Sequence, residues 1–152
     1  MSDNGINEPA LHRKILNIIL RYFASLERAF AIVDTNSREF GKATRDILRY
    51  LTPDLVEISN GNISNGSQAL IENIRGKSPS LLSMNIKILS SNLIYVDKNR
   101  IDIDVLTRST NQEIDRIVYI TRDAKFQLKR YSHDNKYRIS YLEIVTLDEI
   151  IC

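Results

Sequence analysis

A chain of 152 residues with 21 basic and 19 acidic side chains, a formal net charge of +2, has the length of one domain and no surplus of charge to draw it to nucleic acid or an anionic membrane. A hydrophobic fraction of 43% beside 26% charged residues excludes a disordered chain. The lone cysteine, Cys152, excludes an internal disulfide and a cysteine-built zinc site.

The opening MSDNGINEPA lacks the basic-then-apolar order of a secretion signal, so the expected compartment is the cytoplasm. Residues 1–8 are expected to be unstructured, with one domain over 9–152. Asn7 can cap a helix that carries Pro9 in its first turn. Leu11, Ile15, Ile18, Tyr22, Leu26, Ala29 and Val33 then recur at spacings of three and four, with Lys14, Asn17, Arg21 and Arg28 on the wet side. So long a helix with so wide an apolar face is a natural lid for a sheet. Residues 34–37 interrupt it, Asn36 and Glu39 have capping-box spacing, and Phe40, Ala43, Ile47, Leu48 and Leu51 predict a second helix that stops before Pro53. DLVEIS (54–59) alternates weakly as a short strand. The two Asn-Gly steps of NGNISNG (60–66) predict a small hairpin, and 67–75 a short helix closed by Gly76.

From 84 to 147 the chain reads as five strands: MNIKILSSNLIYV, RIDIDVLTR, EIDRIVYIT, KFQLKRYSH and YRISYLEIVTL, separated by DKN, STNQ, RDA and DNK. Connections this short force antiparallel neighbours, because a parallel crossover needs about a dozen residues or more. With STNQ (109–112) as a turn, Ile103 pairs with Val118, Val105 with Arg116 and Ile101 with Ile120. Ile101, Ile103, Val105, Ile114, Val118 and Ile120 then face inward with Arg116 among them, and a slip of one residue would bury Asp102 and Asp104 instead. The same alternation carried onward places Phe126, Leu128 and Arg130 inside, with Ile139, Tyr141, Glu143 and Val145.

A charge on an apolar face is paired, hydrated or turned toward a cavity. Arg116 and Glu143 therefore admit two readings. Either they are an anion or carbonyl clamp and a carboxyl of raised pKa that transfers protons, or they form a buried bridge that closes the core. Tyr22 and Tyr141 are candidate donors to a developing oxyanion, and Arg130 a further ligand-binding cation. His12 and His133 have no acidic or cysteine partner at ligand spacing, so no metal is expected. Lys125, Lys129, Arg130, Lys136 and Arg138 with Tyr131 and Tyr137 form a basic, aromatic patch. Solvent-facing charges alternating along strands account for it, and nucleic acid is not an expected partner. No stretch is long and apolar enough to span a bilayer.

The order of long helix, second helix, short strand pair with Asn-Gly, short helix and antiparallel meander resembles the nuclear-transport-factor-2-like superfamily, which includes SnoaL-like polyketide cyclases and ketosteroid isomerases. YLTPDLVEISNGNISNGSQALIENI (50–74) is similar to the stretch where those proteins pass from the second helix through the first hairpin into the third. The resemblance implies an α+β, cone-shaped, cystatin-like fold, with N-terminal helices packed in a strongly curved antiparallel sheet around a pocket. It also implies a small apolar or carbonyl-bearing ligand, no cofactor, and acid–base chemistry of isomerase, cyclase or lyase type. The alternative is a non-catalytic interaction module. A homodimer through the outer sheet face suits either, with Leu89, Leu93, Ile117, Tyr119, Leu142 and Ile144 as its apolar surface. Ketosteroid isomerases use a carboxylate near the first strand and a tyrosine on the first helix, and by position Asp54 and Tyr22 are similar to these. Their second acid, on a middle strand, has no counterpart, since Asp102 and Asp104 fall on the outer face. Asp54, directly after Pro53, equally suits a turn.

Overall fold

The computed structural model describes residues 8–77, 81–130 and 135–152. Asn7 as a cap, the unstructured lead-in up to that residue, and Tyr131 and His133 lie outside the described residues. Helix α1 (Glu8–Phe30) buries Ile15, Tyr22 and Ala29 of the expected row together with Ile19, Phe23 and Phe30 beside it, and it ends before Val33, which is 57% exposed. Two polar contacts tie this helix to the sheet as well: Glu27 Oε2 accepts from the Ile86 backbone N–H at 2.6 Å, and His12 Nε2 lies 2.8 Å from Ser91 Oγ. The first satisfies a backbone donor on an edge strand.

Helix α2 (Arg38–Leu48) starts one residue later than the capping-box spacing suggests. Asn36 is drawn into a turn, its N–H donating to Asp34 Oδ1 at 3.0 Å. Ser37 becomes the cap, accepting from the Phe40 N–H at 3.2 Å. Strand β1 (Leu51–Ser59) is longer than expected and contains Pro53, and its register slips between Leu51 and Val56, where the missing proline N–H interrupts the ladder. The turn into β2 (Asn62–Asn65) puts Asn60 at φ 49° and Gly61 at φ 86°, the left-handed pair that a two-residue hairpin needs. Helix α3 (Ser67–Lys77) runs through Gly76 instead of closing at it.

The expected five strands are four: β3 (Leu81–Val96), β4 (Arg100–Glu113), β5 (Ile117–Arg130) and β6 (Tyr137–Ile151). The polar runs STNQ and RDA, which resemble turns, lie inside β4 and β5. The actual β4–β5 turn is at 114–116, where the Glu113 N–H donates to the Arg116 carbonyl at 2.8 Å. Ile103 therefore pairs with Phe126 and not with Val118, a displacement of eight residues (126 − 118). Eight is even, so Ile101, Ile103, Val105, Val118 and Ile120 keep the inward face assigned to them. Ile114 does not, being 77% exposed in the turn.

In β6 the alternation reverses. Leu128 pairs with Ile139 but Gln127 with Tyr141, so Ser140 is an extra residue and the strand bulges there. Beyond it Leu142 and Ile144 turn inward, and Tyr141, Glu143 and Val145 turn outward. The expected outer apolar face loses Leu142 and Ile144 by the same step. The sheet order is β2-β1-β6-β5-β4-β3, antiparallel except for the parallel β1–β6 junction. α1 packs in its concave side, with Ile15, Ile19, Ile101, Leu128 and Ile139 fully buried at one end. Among the described residues no helix is long and apolar enough to cross a membrane.

Candidate functional site

Toward the other end the helix and sheet do not close on one another. They leave a cavity of about 510 Å³ between α1, α3 and the concave face, well within the range that holds a small organic molecule. Its apolar wall is a set of edge-on rings: Tyr22 and Phe126 have centroids 6.3 Å apart at 83°, and Phe23 and Phe126 5.9 Å apart at 65°.

Two acidic protons belong to this space. β1 alternates, burying Leu55 and Glu57 while Asp54 faces solvent, and Glu57 sits beside Leu142 of β6 on the concave side. Glu57 is 8% exposed, and burial raises its carboxyl pKa above the ordinary value, with Lys77 opposing the rise. Tyr22 reaches the same cavity from the helix and is 1% exposed. Burial first, and the Glu57 charge second, push its phenol far above the usual range. It is thus a permanent hydrogen-bond donor at neutral pH. Among the described residues neither the Glu57 carboxyl nor the Tyr22 hydroxyl has a side-chain hydrogen-bond partner. A buried acid and a buried donor left unpaired over open space are suited to a ligand.

Of the other candidate site residues, Asp54, Arg116, Arg130, Tyr141 and Glu143, none lines the cavity. Asp54 is exposed on the opposite side of β1. Arg116 lies in the turn with its side chain 45% exposed, donating from Nε to Glu113 Oε1 at 2.6 Å, so the Arg116–Glu143 bridge does not form. Tyr141 and Glu143 share the outer face, where the Tyr141 hydroxyl donates to Glu143 Oε1 at 3.4 Å. Arg130 is exposed at the end of β5. The polar residues that do line the wall include Thr107 from the second expected strand, and Asn111 and Arg122 from the two stretches read as turns. Glu57 was legible in principle, since it shares the parity of Leu55. Val56 and Ile58 on the other parity made the two faces look alike. Among the described residues no cluster of three or more His, Cys, Asp or Glu could hold a metal ion.

No protein-family model matches the sequence, and no curated protein matches it significantly. Solved structures match it closely in backbone. A scytalone dehydratase-like protein from Novosphingobium aromaticivorans superposes with a TM-score of 0.78 over 94% of this chain and 88% of its own, at 9% identity. The hexachlorocyclohexane dehydrochlorinase LinA-type3 from Novosphingobium barchaimii gives 0.71 over 93% and 92%, at 8% identity. A nuclear transport factor 2-like superfamily protein from Salmonella enterica gives 0.73 over 93% and 94%, at 13% identity. The fold is the α+β nuclear-transport-factor-2-like cone. At such identities the likeness is one of backbone, and function has to be argued from the side chains of this cavity.

Proposed function

We propose that the chain binds a small, largely apolar carbonyl compound in the cone cavity and moves a proton on it. The observation that carries this reading is the unpartnered pair of Glu57 and Tyr22 over one apolar space. Glu57 as carboxylate takes a proton from the carbon next to the carbonyl, and the C–H electron pair passes to the oxygen as an enolate. The Tyr22 O–H, held un-ionised, donates to that oxygen as its charge develops. Glu57 then returns its proton to another carbon, which is an isomerisation, or to a departing group, which is an elimination. The names dehydratase and dehydrochlorinase carried by two fold neighbours support a cavity of this shape serving such chemistry.

The test is exchange of solvent deuterium into 2-tetralone, an apolar ketone with acidic C–H bonds, followed by mass spectrometry. The wild type should exceed the buffer rate, Glu57→Gln should lose about 100-fold or more, and Tyr22→Phe a smaller but clear factor. Wild-type exchange at the buffer rate, or full activity in Glu57→Gln, refutes the reading.

A second copy of the chain is proposed as partner on the outer face. There Ile150, 44% exposed, pairs with half-buried Tyr119 near Ile117, and Val145, 43% exposed, lies farther along β6 opposite Asp123, so apolar side chains recur on the outer side of β5 and β6. Sedimentation velocity should give a dimer that Val145→Asp dissociates; a monomer throughout would rule it out. The open cavity favours ligand binding over a purely structural module, whose interior would be filled.

A further inference from the structure

The five ion pairs among the described residues engage Arg28, Arg49, Arg75, Arg100 and Arg116, all at the surface or close to it. Arg122 is different. On β5 it falls in the inward row with Ile120, Ala124 and Phe126, and it lines the cavity. Burial lowers its pKa, and Glu149, exposed on β6, offsets this in part without forming an ion pair. Among the described residues its guanidinium has no carboxylate or hydrogen-bond partner. Holding a half-buried arginine without an ion-pair partner is costly, and the cost is recovered when an anion arrives.

The neighbouring wall presents donors too. On β4, Ser109 Oγ donates to Asn111 Oδ1, which occupies that carbonyl and leaves the Asn111 NH₂ as the free end on the cavity. The ionisable groups lining the cavity, Tyr22 apart, are Glu57, Lys77 and Arg122.

We infer that the ligand carries an anionic group, a carboxylate in the simplest case, and that Arg122 with Asn111 receives it. This deepens the ligand-site reading above and rests on it. Arg122 stands four residues along β5 from Phe126, whose ring packs on Tyr22, an offset of about 13 Å along the strand. The anion is therefore at the opposite end of the ligand from the carbonyl at Glu57 and Tyr22. The ligand class is a keto acid whose two functions are separated by an apolar frame.

Two fluorescent probes test this: 8-anilinonaphthalene-1-sulfonate, and N-phenyl-1-naphthylamine, which has the same rings without the sulfonate. In the wild type the sulfonate should bind more tightly than the neutral probe and weaken with added salt, while the neutral probe is insensitive to salt. Arg122→Gln should lose about tenfold in sulfonate affinity and keep the neutral probe. Arg122→Lys should recover part of the loss, and Asn111→Ala should lose a smaller factor. Near-UV circular dichroism checks that each variant is folded. Equal sulfonate affinity in folded Arg122→Gln overturns the anion subsite and leaves the cavity reading standing. Should Arg122→Gln fail to fold, salt-insensitive sulfonate binding in the wild type overturns the subsite instead. If neither probe binds the wild type, the cavity reading itself fails and this inference with it.

Discussion

The charge of Glu57 acts on the phenol of Tyr22 across the cavity, holding its proton more firmly than burial alone would. The two groups are thus set to different tasks by one environment. Glu57 titrates above the ordinary carboxyl value, and Tyr22 keeps its proton at neutral pH. Exchange activity should rise with pH along one limb, centred above the ordinary carboxyl value of 4.5, with no falling limb from Tyr22 up to pH 9 or so. A pH–rate profile with 2-tetralone checks this, and a limb at the ordinary carboxylate value contradicts the assignment to Glu57.

The same shift sets the pH dependence of stability. A carboxyl whose pKa is raised in the folded state binds more protons folded than unfolded. Its protonated form suits the fold, so this contribution is complete below the unfolded value of 4.5 and is lost as pH rises through the folded value. Glu57→Gln should be more stable than the wild type at pH 7.5 and no more stable at pH 4. Urea midpoints at the two pH values measure it.

How far the chain could be read in advance depended on which signal a residue carries. Burial of Ile15, Ile19 and Tyr22 follows from a period that α1 repeats over six turns, and one odd residue cannot hide it. The faces of β4 and β5 survived a wrong register because the error was even. In β6 an inserted residue, Ser140, inverted the alternation from Tyr141 to Thr146, until a second shift at Leu147 restored it, and no local pattern marks bulges of that kind. The site was hidden for a related reason. Ser109, Asn111 and Arg122 are inward-facing polar residues, and polar residues in a strand look like turns until a cavity explains them.

Arg116 is predicted to matter little. It pairs with Glu113 in an exposed turn, where solvent screens the attraction. Arg116→Ala should shift the urea midpoint slightly and leave both exchange and probe binding unchanged. A large loss of either would mean the turn reaches the cavity in solution.

The N-cap of α2 gives a sharper comparison. Ser37→Ala removes the acceptor for the Phe40 N–H and should cost about 1 kcal/mol. Asn36→Ala, which removes no cap acceptor, should cost clearly less. The reverse order, measured by thermal or urea unfolding, would restore Asn36 as the cap.

On the outer face Asp123 stands against Asp104, and the Asp123 carboxyl is pushed up to about 6, by burial first and by its neighbour second. One Asp104 oxygen is buried without a partner. A second carboxylate so close makes ionising Asp123 costly, so Asp123 keeps its proton to higher pH than an isolated carboxyl. The sign matches that of Glu57: the folded value lies above the ordinary 3.8, so the contribution of Asp123 is complete below that pH and is lost as pH rises through about 6. Asp123→Asn should stabilise the chain at pH 7 by about 1 kcal/mol after allowance for solvent screening, and should flatten the pH dependence between the two values. Asp104→Asn should do much the same, because either change leaves a single carboxylate with an amide beside it. The double variant should therefore gain little over either single one, a departure from additivity that identifies one shared repulsion. Additive gains, or an Asp123→Asn variant whose pH profile matches the wild type, would show that the two carboxyls do not act on one another.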